Sequence, residues 1–186
     1  VHIAKISGED REKGSYFYGM GDFNSDIDNT LICLHGGRLA VIPTEAGLML
    51  SADATNDLAV HALLTASANI PQPVILIADQ RDLLQFVSAP DLAVFDFIEE
   101  LNPASATWFT GILGISEQLL DANRAAPIAL VNDTFNNTLI KRFRKPLVVI
   151  PGGGSDLSAI AGFVCSVHTT PVANGFSLYN FAPSAF

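Results

Sequence analysis

Charged side chains are scarce in this chain of 186 residues: Asp, Glu, Lys and Arg together make up 16% of it, against about 25% in average globular proteins. Hydrophobic residues reach 49%, and that excludes intrinsic disorder, which needs low hydrophobicity and high charge. Positive charge is the scarcer sign, with 10 Lys and Arg against 19 Asp and Glu and a net charge of -9. A protein that holds nucleic acid through its phosphates carries the reverse excess, so nucleic acid is disfavoured as a partner. Cysteine is nearly absent. Cys33 and Cys165 stand far apart inside apolar runs, with no C-x-x-C spacing and no nearby histidine pair. This argues against a disulfide framework or a zinc site and for two buried thiols in a reducing compartment. None of the four histidines has a partner at i+4 or a carboxylate at ligand spacing, so no metal site is expected. No apolar run approaches the roughly 20 residues that span a bilayer. The first residues, Val-His-Ile-Ala-Lys, lack the charged-then-apolar order of a secretory signal. The expectation is a soluble, cytoplasmic protein with no membrane partner.

What is present points to one domain, given a prior of roughly 150 residues per domain. Residues 1–24 read as an irregular lead-in, with Gly14, Gly19 and Gly21 among Tyr16, Phe17, Tyr18 and Phe23, and 25–186 as the domain. Beyond the lead-in, strand and helix signals alternate. A helix is predicted after Ser25, presenting Ile27, Leu31, Ile32 and Leu34 and stopped by Gly36-Gly37. A strand follows over 38–43. A second helix is predicted over about 56–68, capped by Thr55, with Leu58, Leu63 and Leu64 for a core. The wholly apolar run 74–78 suits a strand covered on both faces. Asp79 is placed to cap a short helix through Phe86, and Pro90 to open another over about 91–100. Further strands are predicted over 108–115, 127–131, 146–150 and 163–172, a helix over 134–144, and a loop-like tail. Interleaved strands and helices make a layered α/β domain.

One segment carries more than pattern: Gly37-Arg38-Leu39-Ala40-Val41-Ile42-Pro43-Thr44-Glu45-Ala46, then Ala52-Asp53-Ala54-Thr55-Asn56-Asp57 and Ala59-Val60. It resembles the start of the YrdC-type threonylcarbamoyl-adenylate synthase family: a Gly-rich stop, a strand ending in Pro-Thr-Glu-Thr/Ala, an Ala-Asp-Ala-like turn and a helix. Pro73 to Leu83 continues the likeness, Pro103 and Thr107 fit the ends of a Pro-Gly-Pro-Leu-Thr segment, and Lys145-Pro146-Leu147-Val148 resembles the strand before a Ser-Ala-Asn signature. The resemblance covers about residues 28–158 and is most specific over 37–79. It implies a three-layer α/β fold with a mixed, twisted sheet, helices on both faces and a concave pocket. It also implies chemistry that joins L-threonine, bicarbonate and ATP into L-threonylcarbamoyl-adenylate, with magnesium, in tRNA modification, and RNA binding.

Polar positions depart from that family. Its phosphate-neutralising Lys-x-Arg-Pro falls on Ser67 and Asn69, and its Ser-Ala-Asn on Pro151, Gly152 and Gly153. The basic residue of its Val-Arg-x-Pro strand falls near Leu130 or Val131. A hydrogen bond to a charged group contributes roughly 1.5–3 kcal/mol, so losing two cationic partners weakens nucleotide affinity about 10²- to 10⁴-fold. Two readings follow. In the first, the chain is a divergent member with a degenerate nucleotide and threonine pocket, a possible pseudoenzyme that binds a small ligand or a protein partner. In the second, it is an active ATP-dependent synthase using replacement contacts. The resemblance makes Thr44, Glu45, Ser67, Asn69, Thr107, Gly152, Gly153 and Gly154 the candidate ligand-binding residues and assigns no catalytic residue. No cofactor is certain; ATP and magnesium enter only with the family reaction.

Three features read two ways. Gly152-Gly153-Gly154 followed by Ser155 is either a flexible turn or a loop offering backbone N–H groups to an anion, and it is not a Walker A loop. Glu45 at a strand end is either a functional carboxylate or a structural acid accepting backbone N–H bonds. Lys141, Arg142, Arg144 and Lys145 either complement the negative end of a helix dipole or touch RNA.

Overall fold

Alternation within fully apolar runs decides the architecture. The computed structural model describes residues 20–66, 71–152, 159–167 and 169–181. Among these, one sheet is built from β1 (Ala40–Thr44), β2 (Gly47–Asp53), β3 (Val74–Ile77), β4 (Ser105–Phe109), β5 (Ala126–Leu130), β6 (Leu147–Pro151), β7 (Phe163–Val164) and β8 (Ser177–Asn180). Their order is β7-β1-β2-β6-β3-β5-β4-β8. The sheet is mixed: β3 pairs parallel with β5 and antiparallel with β6, and β1 pairs antiparallel with β2. Successive side chains of a strand point to opposite faces. Val74 and Leu76 of β3 therefore join Ile42, Met49 and Val149 on one face, while Ile75 and Ile77 join Val41, Ile128 and Val148 on the other.

Each apolar face is covered by helices, giving three layers. On the first face lie α1 (Met20–His35), through Ile27, Leu31 and Leu34, and the later helix Thr134–Phe143, through Phe135, Leu139 and Phe143. On the second lie α2 (Asp57–Thr65), α3 (Leu83–Phe86) and α4 (Ala93–Glu100), through Ala59, Leu63, Leu83 and Val94. The helix Thr134–Phe143 is α5. This is the expected class, a layered α/β fold with helices on both faces of a mixed sheet.

Several local expectations are corrected. The first helix starts at Met20, so residues 20–24 belong to it and Ser25 does not cap it; the lead-in up to residue 19 lies outside the described residues. The cap of α2 is Asn56, whose side chain accepts from the backbone N–H of Leu58 and Ala59. Thr55 is diverted, its hydroxyl donating to Asp53 Oδ1 at 2.7 Å. Leu58 is 83% exposed rather than in the core. The strand predicted over 108–115 ends at Phe109, because Gly111 and Gly114 take left-handed φ of 65° and 75° and turn the chain away. Two strands, β2 and β8, were not expected at all.

The strand predicted over 163–172 stops after two residues, and the cause is Asp26. This carboxylate sits within α1 and is 4% exposed. Its Oδ2 accepts from Ser166 N at 2.8 Å and Val167 N at 2.7 Å, and the Ser166 hydroxyl donates to Oδ1 at 3.2 Å. Those N–H groups go to a carboxylate instead of a neighbouring strand. The chain leaves β7 on one edge of the sheet and reaches β8, beside β4, on the other. Cys165 on this path is a buried free thiol that shares a hydrogen bond with Thr30 at 3.3 Å; burial pushes its pKa up to about 12.

Asp26→Ala is expected to leave the buried Val167 N–H and the part-buried Ser166 N–H unpaired and to cost about 2–4 kcal/mol, from charge-assisted bonds of roughly 1.5–3 kcal/mol each. Urea unfolding measures the loss, and amide exchange at Ser166 and Val167 locates it. A change below about 0.5 kcal/mol, the usual size for an inert surface substitution, contradicts this account.

Candidate functional site

β1 ends at Thr44, and Gly47, at φ 108°, turns the chain into β2. Thr44 is 3% exposed. Its hydroxyl donates to Gly47 O at 2.7 Å and accepts from Ala46 N at 3.1 Å, so it holds the turn. Glu45 Oε2 accepts from Ala104 N at 3.0 Å. Ala104 holds a left-handed φ of 62° ahead of β4, a conformation that costs a non-glycine residue about 1–2 kcal/mol. The segment after β7 closes over this corner. Val172 N donates to Glu45 O, Gly175 N to Ala46 O and Ser177 N to Ala104 O.

A second acid comes from the start of α5. Asp133 caps that helix, its Oδ2 accepting from Asn136 N and from Asn136 Nδ2, both at 2.9 Å. Asn136, fully buried, also donates through Nδ2 to Pro43 O at 2.7 Å, tying α5 to β1. Its Oδ1 is buried with no hydrogen-bond partner among the described residues. Burial pushes the Asp133 carboxyl up to about 6, with the Glu45 charge adding to the rise and the bonds from Asn136 opposing it. Thr44, Glu45, Asp133 and Asn136 thus form an acidic, amide-lined corner whose donors and acceptors are largely engaged with the protein's own backbone.

The residues singled out by sequence fall in different places. Gly152 N donates to Leu48 O at 3.3 Å, which brings Gly152 to the turn that Thr44 holds. Glu45 shares that corner and acts as an acceptor of backbone N–H. Thr107 lies in the middle of β4, 1% exposed and paired with Ile128 and Tyr179. Its parity is that of Phe109 and Ile128, on the face opposite the Thr44 side chain. Ser67, Asn69, Gly153 and Gly154 lie outside the described residues. Ala104, Asp133 and Asn136 were missed. For the last two a signal existed, because Asp-Thr-Phe-Asn opening a helix has the cap-to-third-residue spacing that lets two polar side chains satisfy free N–H groups.

The basic cluster lies elsewhere, around the end of α5, where Arg142 pairs with Asp28 at 2.9 Å and Lys145 with Asp53 at 3.5 Å. Among the described residues no group of three or more His, Cys, Asp and Glu is arranged to hold a metal ion, and no helix is long and apolar enough to cross a membrane.

No protein-family model matches this chain, and no curated protein matches it. Solved structures do. P. abyssi Sua5 complexed with L-threonine is 13% identical, with a TM-score of 0.73 over 83% of this chain and 50% of that one. E. coli YciO is 11% identical, with a TM-score of 0.67 over 84% of both chains. A full-length HypF in its phosphate- and nucleotide-bound form is 16% identical, with a TM-score of 0.70 over 84% of this chain and 27% of that one. The chain therefore spans half the length of that Sua5. These likenesses give it the YrdC-type fold that the resemblance implied.

Asp133 supplies a test of the corner's electrostatics. Its folded pKa of about 6 lies above the ordinary 3.8, so the folded state binds the proton more tightly. The stability this contributes is present below about pH 4 and lost as pH rises through about 6. Asp133→Asn keeps a capping side chain and removes the titration. At pH 7 the variant should be about 1–3 kcal/mol more stable than the parent, given roughly 1.4 kcal/mol per pKa unit, with no gain at pH 3.5. Parallel pH profiles of the two urea midpoints refute the assignment.

Proposed function

We propose that this chain is a YrdC-fold ligand-binding module, related to the threonylcarbamoyladenosine modification of tRNA, whose Thr44–Glu45–Gly152 corner takes a small ligand of the threonine or nucleotide type. Its turnover of magnesium–ATP is slow or absent, and it works by binding a ligand or a protein partner. One observation carries this reading. Among the described residues, no hydrogen bond or ion pair of Thr44, Glu45 or Gly152 involves a Lys or Arg, and the charges that gather there are the carboxylates Glu45 and Asp133.

A triphosphate is a polyanion that needs cations or free N–H donors. Here the Gly152 N–H is engaged with Leu48 O and the Thr44 hydroxyl with Gly47 O. A net charge of -9 disfavours approach of both ATP and tRNA. An amino acid such as L-threonine is a zwitterion with no net charge, and an acidic, amide-lined corner suits its ammonium group. The L-threonine bound in the similar Sua5 structure supports that choice. The same likeness favours the second reading, an active ATP-dependent synthase using Ser67, Asn69, the Gly152–Gly154 backbone and magnesium as replacement contacts.

Purified protein with L-threonine, bicarbonate, magnesium and ATP separates the two. We expect calorimetric binding of L-threonine with no threonine-dependent release of pyrophosphate. Release well above background establishes the synthase and removes the binding-module reading. Restoring charge at the positions the resemblance assigns to the phosphates is a second probe: Ser67→Lys with Asn69→Arg should raise nucleotide affinity at least about tenfold, the effect of one charged hydrogen bond of roughly 1.5 kcal/mol. Unchanged affinity in a folded double variant shows that those positions do not face the ligand.

A further inference from the structure

One concavity lies away from the Thr44 corner and shares no residue with it. It is a cleft of about 340 Å³ between the end of β3 with the 3-10 turn Gln80–Asp82 and the last turn of α5 with the residues that lead into β6. Its charged lining is Asp79, Arg81, Asp82, Lys141, Arg144 and Lys145. Four of the chain's ten Lys and Arg residues therefore meet around one small space, against two carboxylates. In a chain of net charge -9 this is a local reversal of sign.

The cations are not equally free. Arg81 grips Asp79 through two bonds, Nε to Oδ1 at 3.1 Å and Nη2 to Oδ2 at 2.8 Å. Lys145 reaches Asp53 at 3.5 Å and stands 5.6 Å over the Phe143 ring. Lys141 and Arg144 make no ion pair among the described residues. They leave two positive charges on the cleft wall. Arg144 occupies the left-handed position that closes α5, at φ 64°, its N–H donating to Ile140 O. Glycine is the ordinary residue there, and an arginine costs about 1–2 kcal/mol of backbone strain. Favourable interaction with the helix dipole accounts for cations in the last turn of α5. It does not account for Arg81, which comes from another element and faces the same space. Between the charges the wall is apolar, with Ile77, Phe86 and Pro146.

We propose that this cleft binds a small phosphate monoester, its dianionic phosphoryl group held by Lys141 and Arg144 and the body of the molecule resting on Phe86 and Pro146. Lys141 and Arg144, the two lining cations with no ion pair among the described residues, meet the two charges of a monoester, with Asp82 on the same lining and Asp79 in the field of Lys141. A forked guanidinium beside a mobile ammonium can satisfy three phosphoryl oxygens. The volume suits a small molecule, because ligand pockets start at about 300 Å³. A duplex RNA would need further basic surface, which the net charge of -9 opposes.

Calorimetry of the full chain with ribose 5-phosphate at low ionic strength is the direct test, with inorganic phosphate and a short RNA duplex titrated alongside. Binding of the monoester that weakens as salt is raised is expected. Lys141→Gln with Arg144→Gln should weaken it about 10- to 100-fold, the loss of one to two charged contacts. Arg142→Gln removes a charge from the same helix but lies outside the cleft, and should change affinity less than twofold. The charge-keeping pair Lys141→Arg with Arg144→Lys, checked for a native melting curve, should stay within a few-fold of the parent. No monoester binding to the parent overturns the proposal. So does an equal loss in Arg142→Gln, or binding of the RNA duplex without the monoester.

Discussion

A carboxylate buried within a helix sets the course of the last third of the chain. The Asp26 side chain is 4% exposed, a placement that is costly for a carboxyl group unless its oxygens are saturated with hydrogen bonds. The groups that saturate it are the backbone N–H of Ser166 and Val167 and the Ser166 hydroxyl. Those residues therefore leave the sheet edge, β7 ends at Val164, and the chain crosses to the far edge and adds β8 to β4. On the way it donates to the carbonyls of Glu45, Ala46 and Ala104. The wall of the Thr44 corner is thus a consequence of where Asp26 sits.

Charge is sorted within the molecule. The Thr44 corner collects the acids Glu45 and Asp133 beside the fully buried Asn136, while four cations gather around the cleft between the end of β3 and the end of α5. One helix links the two environments: α5 begins with the Asp133 cap and ends with Lys141 and Arg142 in its last turn. That polarity agrees with the helix dipole at both ends. The same stretch of sequence therefore puts acidic charge beside the Thr44 corner and basic charge beside the cleft.

Apolar alternation was easy to read and polar capture was not. The runs 74–77 and 147–150 point to strands covered on both faces because every position is apolar, and Asp79 caps the short turn after β3 as its side chain suggests. β2 hid in Gly-Leu-Met-Leu-Ser-Ala-Asp, whose Ser51 and Asp53 look like solvent positions. Both are buried, Ser51 because its hydroxyl donates to Ala40 O at 2.7 Å and Asp53 because it accepts from Thr55. β8 is exposed along its length and has no apolar face to announce it. At the site, resemblance named Thr44, Glu45 and Gly152 as ligand-binding, and the structure places them around one turn. It could not tell which face of the sheet Thr107 points to. Two-residue periodicity separates Thr107 from Ala104 and Ala106 and puts it with Phe109. Asp26 reads as an ordinary acid near a helix start; its partner is 140 residues away, beyond any local pattern.

The segment that covers the Thr44 corner bears on what can bind there. Its donors at Val172, Ala173 and Gly175 are spent on the carbonyls of Glu45 and Ala46, so those three N–H groups are not available to a phosphate. A lid that closes on a polyanion ordinarily does the reverse and brings donors to the charge. Here the segment instead removes the corner's own carbonyls from solvent and leaves the Glu45 and Asp133 carboxylates as the charges nearest a ligand. An ammonium group gains from that arrangement and a triphosphate loses. On the proposed function, selectivity at this corner comes as much from what the backbone has already consumed as from the side chains that remain.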